Sequence, residues 1–258
     1  MYVRNSPRVC IVMPAFNASA VISDAVHSVR DQTFTDWDLI IVEDSSRDDT
    51  PDVIARLAAS DRRIRILSNQ TNLGAAASRN RALEAADGSH VAFLDSDDLW
   101  HPRKLEKQLD FMAQTHSAIT FGDYLRIDWK GAVLNRVCAP RSTDYKAMLL
   151  SNFIGNLTAI YDRQRLGALR FQCVGNEDHL FWLDALKQLD EPVFATPSDV
   201  PLASYRVNKD SLSGNKLRSA MWQWQLHRRL LGHGRLKSSY YMAAYVFHGV
   251  RKRLPCAV

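Results

Sequence analysis

The run His90-Val91-Ala92-Phe93-Leu94-Asp95-Ser96-Asp97-Asp98 places three carboxylates within four residues, directly after an apolar stretch of strand length. In open α/β sheets ligands bind beyond the carboxyl ends of the strands, so a buried strand that ends in acids marks a site. Carboxylates spaced along a loop suit a hard divalent cation, Mn2+ or Mg2+, which takes oxygen ligands and shares them with substrate phosphates. A second cluster, Glu43-Asp44-Ser45-Ser46, ends another apolar run, and the repeated placement points to cation-assisted phosphate binding. Asp36-Trp37-Asp38 has the same Asp-x-Asp spacing but precedes a strand, and it reads as solvated turn.

Hydrophobic patterning supplies the elements that must carry these acids. Val9 to Met13 is an apolar run of the kind that makes a central parallel strand, stopped by Pro14. Trp37 to Val42, Ile64 to Leu67 and Val91 to Leu94 read as three more strands. Between them lie helical spacings at Val21, Ile22, Ala25, Val26 and Val29, at Val53, Ile54, Leu57 and Ala58, and from Ala75 to Ala86, a segment that carries Arg79. This alternation predicts right-handed βαβ units, hence an α/β fold with a Rossmann-type, mostly parallel central sheet flanked by helices. The second half is less regular. It offers a helix from His101 to Thr115, a strand from Ala118 to Phe121, a hairpin turning at Lys130-Gly131, and a strand from Leu157 to Tyr161. A helix then opens on Asn176-Glu177-Asp178, with acids in its first turn, and a strand from Val200 to Tyr205 leads into a polar loop from Arg206 to Asn215.

Composition and missing motifs narrow the class. At 258 residues, 46% hydrophobic and 24% charged, the chain is of ordinary globular type. No G-x-G-x-x-G follows the first strand and no G-x-x-x-x-G-K-[ST] occurs, which argues against a dinucleotide-dependent dehydrogenase and a P-loop enzyme. Pro14-Ala15-Phe16-Asn17 lacks the glycine and basic residue expected of a sugar-nucleotide nucleotidyltransferase loop. The four scattered cysteines, Cys10, Cys138, Cys173 and Cys256, form no C-x-x-C pair and read as reduced thiols of a cytosolic protein. The N-terminus has no apolar core of a signal peptide.

With these pieces placed, the chain resembles the family 2 glycosyltransferases of the GT-A fold, in particular bacterial enzymes that build surface polysaccharides such as O-antigen or capsule. The resemblance rests on motifs in order from about Val9 to Ser213: Met13-Pro14-Ala15-Phe16-Asn17, Glu43-Asp44-Ser45-Ser46, Asn72-Leu73-Gly74 with Ser78-Arg79-Asn80, Leu94-Asp95-Ser96-Asp97-Asp98, Asn176-Glu177-Asp178, and Ser204-Tyr205-Arg206 with Ser211-Leu212-Ser213. It implies an inverting glycosyltransferase with a UDP-sugar donor and a divalent metal, Mn2+ or Mg2+. Pro14, Ala15, Phe16 and Asp44 would then hold the uracil, Arg79 the base or diphosphate, Asp95 with Ser96 the ribose side, and Asp97 the metal. Asp178 would be the general base, with Glu177 orienting the base or an acceptor hydroxyl. The polar content of the loop from Arg206 to Asn215, with Arg206, Lys209, Ser211 and Ser213, suits either an ordinary connection or a lid that orders over the diphosphate. Glu43 stands where the family often has Asp.

Charge divides the chain unevenly. Residues 211–258 contain nine Lys and Arg and no acid, while the preceding 210 residues carry a net −4. We read 1–210 as the catalytic domain, with a nucleotide-sugar half to about 100 and an acceptor half beyond it, and 211–258 as a helical tail. Trp222, Trp224, Leu226, Tyr240, Tyr241, Tyr245 and Phe247 interleave with the basic residues there, a pattern suited either to an anionic membrane surface or to packing on the catalytic domain. No nucleic-acid-binding module accompanies the charge, so a nucleic-acid partner is not expected. The implied acceptor, a saccharide on a polyprenyl pyrophosphate lipid, agrees with a peripheral place on the inner face of the cytoplasmic membrane. A catalytically silent nucleotide- or glycan-binding module is the rival reading.

Overall fold

The structure is a computed structural model describing residues 8–207 and 216–251. Four parallel strands, β1 (Val9–Ala15), β2 (Trp37–Glu43), β3 (Ile64–Ser68) and β4 (His90–Phe93), lie in the order β3-β2-β1-β4. Helices α1 (Ile22–Arg30), α2 (Thr50–Ser60) and α3 (Ala75–Ala85) make the crossovers. The chain builds outward from β1 through β2 to β3, then returns to place β4 on the other side of β1. That reversal opens a crevice over the carboxyl ends of β1 and β4, where α/β sheets bind ligands.

Both faces of this sheet are covered, which is why its strands read as unbroken apolar runs. Cys10, Val12, Ile40, Val42, Val91 and Phe93 face one core with α3, and Val9, Ile11, Met13, Leu39, Ile41 and Ala92 face the other with α1 and α2. Pro14 does not stop β1, which continues to Ala15. Its missing N–H falls on the side where β4 has already ended opposite Val12, so no ladder bond is lost. Asp36-Trp37-Asp38 is not a solvated turn: Trp37 and Asp38 are buried in β2, and Arg8 pairs with the Asp38 carboxylate.

The rest of the chain completes this frame. In order come β5 (Leu99–Trp100), α4 (Lys104–Thr115), β6 (Ile119–Phe121), β7 (Tyr124–Ile127), β8 (Val133–Val137), β9 (Ser142–Thr143), α5 (Tyr145–Met148), β10 (Ile160–Asp162), α6 (Arg163–Leu166), α7 (Glu177–Leu189), β11 (Val193–Ala195) and β12 (Ala203–Arg206). The first sheet extends as β4-β10-β6-β11-β9, and a second sheet has the order β5-β12-β7-β8. The strand expected over Leu157 to Tyr161 divides into a single 3-10 turn (Asn156–Thr158) and β10. The hairpin turns as expected at Gly131, whose φ of 88° a side chain would strain.

The C-terminal segment is helical: α8 (Lys216–Gln225), a π-helical stretch (Leu226–Leu230) and α9 (Arg235–Arg251). Leu226 is fully buried and Leu231 and Tyr241 pack against the main core, so the segment rests on the body built by the preceding residues. Among the described residues no helix is long and apolar enough to cross a membrane. Cys10 and Cys173 are free thiols, but Cys138 is disulfide-bonded, so the expectation of reduced cysteines throughout does not hold.

Candidate active site

The acid-rich loop after β4 closes as a tight turn, with the Asp98 N–H donating to the Asp95 carbonyl at 3.1 Å. Asp98 is buried and its Oδ1 accepts from the Arg206 N–H at 2.9 Å. The Arg206 side chain completes the clamp, donating to the Asp97 carbonyl at 3.0 Å and the Trp129 carbonyl at 2.7 Å. Arg206 was expected to begin a polar loop. It is instead the buried last residue of β12 and a fixed support beneath the acidic turn. Lys209, Ser211 and Ser213 lie outside the described residues.

Three carboxylates held this closely repel one another. Burial, then the charge of Asp95, pushes the Asp97 carboxyl up to about 6, and burial with the charges of Asp97 and Asp95 raises Asp98 well above the ordinary carboxylate range. An oxygen-rich turn with surplus negative charge is the electrostatic setting a hard divalent cation relieves, so Asp97 and its neighbours fit a metal.

A different group also brings three ligand atoms within 4.8 Å of one another: Cys10, Asp38 and Asp87. It sits at the opposite ends of the strands from the crevice. Arg8 pairs with Asp38 and lies 3.9 Å from Asp87, while burial holds the Cys10 thiol protonated by raising its pKa. A guanidinium already supplies the positive charge there, and the group reads as a structural knot closing the sheet.

Beyond β2, Asp44 organises the loop that leads into α3. Its Oδ1 accepts from Asn69 Nδ2 at 2.7 Å and the Leu73 N–H at 2.9 Å, and its Oδ2 from the Gly74 N–H at 2.8 Å. Three of the roughly four acceptor positions of a carboxylate are therefore filled by the protein. The Asp44 N–H donates to the Ala15 carbonyl at 2.9 Å, which sets Pro14, Ala15 and Asp44 side by side at the strand ends. Phe16, 44% exposed, presents an aromatic ring at the same end of β1. Glu43 turns back on its own loop, accepting from the Ser45 and Ser46 N–H groups.

Helix α7 brings the second acidic pair to this place. Phe93 of β4 packs edge-on against Phe181 at 5.5 Å and Trp182 at 6.0 Å, pinning α7 beside the strand that carries the acidic turn. Arg79 then joins the two halves. Its Nη2 lies 2.7 Å from Asp95 Oδ1 and its Nη1 2.8 Å from Glu177 Oε1. Burial opposes the Arg79 charge, but Asp95 and Glu177 more than offset it, and the guanidinium stays charged. Glu177 is raised by burial and by the charge of Asp178, with Arg79 pulling the other way. Asp178 Oδ1 accepts from the His179 N–H at 2.8 Å and Oδ2 from Asn152 Nδ2 at 3.0 Å. Among the described residues, Pro14, Ala15, Phe16, Asp44, Arg79, Asp95, Asp97, Glu177 and Asp178 thus fall at one end of the sheet, although Arg79 engages protein carboxylates. Asn152 was not anticipated; it lies in an irregular stretch with no motif to mark it.

A profile of glycosyl transferase family 2 matches residues 10–162, more than half of the chain. The chain belongs to that family. Its relatives include a putative teichuronic acid biosynthesis glycosyltransferase, TuaG of Bacillus subtilis, 37% identical over 96% of this chain and 98% of its own. Another is UDP-Glc:alpha-D-GlcNAc-diphosphoundecaprenol beta-1,3-glucosyltransferase WfgD of Escherichia coli, 35% identical over 95% of this chain and 94% of its own. This family 2 glycosyltransferase is therefore an enzyme related to those of bacterial surface polysaccharides. Among solved structures, Staphylococcus aureus TarS in complex with UDP-GlcNAc superposes with a TM-score of 0.70 at 18% identity, covering 93% of this chain and 71% of that one. A mannosyltransferase from Pyrobaculum calidifontis in complex with GDP-Man and Mn2+ gives 0.65 at 22% identity, covering 93% and 70%. Both share its GT-A-like fold.

The Arg79 bridge carries a prediction. Arg79→Met leaves Asp95 and Glu177 facing each other without a counter-charge. We expect a loss of about 2 kcal/mol, less than the roughly 3–5 kcal/mol of a fully buried pair because both acids keep some solvent. A lower urea midpoint at unchanged m-value is the expected readout.

Proposed function

We propose that this glycosyltransferase moves a sugar from a UDP-sugar to a lipid-linked saccharide acceptor, inverting the anomeric carbon, with Asp178 as general base and a divalent cation at Asp97. The observation that carries this reading is the Arg79 bridge. One guanidinium ties the acidic turn at the switch point to the turn bearing Glu177 and Asp178, so a carboxylate that phosphate chemistry needs and one that proton transfer needs share one crevice. WfgD, similar along nearly the whole chain, is named for a UDP-Glc donor and a diphosphoundecaprenol-linked acceptor, which favours the same substrate classes here.

The chemistry follows from the residues. An acceptor hydroxyl is a weak nucleophile near neutral pH, so a positioned carboxylate must take its proton as the new bond forms. Asp178 suits this role: its two oxygens are oriented by the His179 N–H and Asn152. Glu177 is held by Arg79 and orients the pair. The hydroxyl oxygen attacks the anomeric carbon from the face opposite UDP, its proton passes to Asp178, and the C1–O bond breaks with its electron pair on the departing diphosphate. When bound, the cation supplies charge compensation for that leaving group. Asp44 orders the loop at residues 69–74 and keeps one acceptor position for the uracil, beside Pro14, Ala15 and Phe16. Ser96 joins Asp95 on the ribose side. We take 1–210 as the catalytic domain.

The tail serves the acceptor's location. One side packs on the catalytic body, while Leu217 (84% exposed), Leu236 (89%) and Phe247 (64%) stand in solvent among Arg229, Arg235, Lys237 and Arg251. Exposed apolar side chains flanked by cations suit an anionic bilayer surface, placing the enzyme peripherally on the cytoplasmic face of the membrane. Co-sedimentation with phosphatidylglycerol vesicles is expected, weakened at least severalfold by Leu236→Glu with Phe247→Glu; equal binding by this variant would rule the helices out as the anchor. The donor reading is tested by incubating the protein with Mn2+, a lipid-linked GlcNAc diphosphate and a panel of UDP-sugars. UDP release with at least one sugar is expected; nucleotide binding without turnover on any would favour a silent binding module.

A further inference from the structure

The residues flanking the Glu177-Asp178 pair are held by the C-terminal helices. A Cβ on Gly175 would fall 2.1–2.4 Å from three atoms of the Trp222 indole, so the ring of α8 sits directly on that glycine. The next residue of α8, Gln223, is fully buried, and its Oε1 accepts from Asn176 Nδ2 at 3.2 Å and lies 3.3 Å from His179 Nδ1. Asn176 precedes α7 in the left-handed region at φ 60°, a conformation that surrounding contacts must maintain. The other ring nitrogen of His179 donates to the Met148 carbonyl at 2.7 Å. Behind Gln223, its Nε2 lies 3.2 Å from Nε2 of the buried His227, whose ring stacks on Tyr241 at 4.6 Å. A second hold comes from α9, where His248 meets Phe153 edge-on at 5.0 Å, next to the Asn152 that donates to Asp178.

Asp178 is thus bracketed by Asn176 and His179, which meet at one buried amide. We propose that Gln223 is a positioning residue for the transfer reaction, fixing the first turn of α7 through Asn176 and His179 and so the aim of the Asp178 carboxylate. The C-terminal helices are then part of the catalytic assembly as well as the surface turned to the lipid. Gln223 does not meet the reacting atoms; it acts through Asp178, so the proposal rests on the reading of Asp178 as base. A carboxylate released from this bracket no longer meets the acceptor hydroxyl in line, and a displacement of the order of 1 Å costs about 100-fold in rate.

The test is a double-mutant cycle on the full-length enzyme, with initial rates at saturating and limiting UDP-sugar and thermal denaturation in parallel. Gln223→Met keeps the volume and removes the hydrogen bonds. We expect kcat to fall about 100-fold with donor KM changed less than about twofold. In an Asp178→Asn background, Gln223→Met should change kcat by less than about twofold, because the group it positions has already lost its function. An unchanged kcat, or an equal fall in both backgrounds, would overturn the proposal and leave the base assignment standing. A full-rate Asp178→Asn enzyme would remove the base assignment and this proposal with it. If Gln223→Met does not fold, Gly175→Ala displaces Trp222 at the same junction and carries the same expectations in both backgrounds.

Discussion

Asp178→Asn is expected to lower kcat by about 10²–10⁴-fold, the usual worth of a general base, while donor affinity stays nearly unchanged. The substitution keeps the shape of the side chain and removes its ability to take a proton. The new amide would meet the same surroundings, with its oxygen toward the His179 N–H and its nitrogen toward Asn152, whose own amide can turn to accept, so the crevice itself should persist. In the proposed site the donor lies on the other side of the Arg79 bridge, so titration with UDP-sugar by calorimetry should give a Kd close to that of the parent. A parallel loss of binding and turnover would instead make Asp178 a donor ligand. Glu177→Gln should be milder, because Arg79 already holds that carboxylate and the role proposed for it is orientation.

Asp97→Asn is expected to remove cation-dependent donor binding and, with it, most turnover, by at least about 100-fold. The pH dependence follows from the crowded turn. Burial and the neighbouring Asp95 hold Asp97 at about 6, above its ordinary 3.8, so its folded form gains a proton more readily than the unfolded chain does. Protonation therefore favours the folded state: the stability contribution of this group is fully present below about pH 4 and lost as pH rises through about 6 in metal-free protein. Metal affinity runs the other way. Below about pH 6 the cation must displace a proton, so apparent Mn2+ affinity should fall by about tenfold per pH unit. Titrating Mn2+ at about pH 5 and about pH 7.5 by donor-binding calorimetry checks the metal half, urea denaturation of metal-free protein at the same two values checks the stability half, and Asp97→Asn should flatten both dependences.

The first hundred residues of this molecule were legible because their signals are local. Strands buried on both faces appear as apolar runs, helices show their period, and acids at strand ends need no knowledge of the rest of the chain. Four strands and their three helices stand where periodicity places them, with Pro14 the main surprise. What was hidden depends on pairing between distant segments. Arg79 reads as a ligand residue because it follows a motif, yet its guanidinium spans to Glu177, 98 positions away. Arg206 reads as loop because polar residues follow it, whereas the second sheet extends through it and uses its side chain to hold the acidic turn. Asn152 and Gln223 lie in stretches with no motif, and only their contacts with the start of α7 give them meaning. For the tail, composition left packing and surface binding as rivals. The helices have a side suited to each, since Leu226, Gln223 and His227 are buried while Leu236 and Phe247 are exposed.

The stereochemistry of the product reports directly on the displacement at the anomeric carbon. With the UDP-sugar that supports turnover, Mn2+ and a lipid-linked acceptor, the new glycosidic bond can be assigned by NMR while UDP release is counted. One UDP per bond formed and a β-linkage from an α-linked donor are expected, since a single displacement assisted by Asp178 inverts the anomeric carbon. An α-linked product would contradict that single displacement, because retention requires a different arrangement of nucleophile and base from the one that Asp97, Arg79 and Asp178 compose.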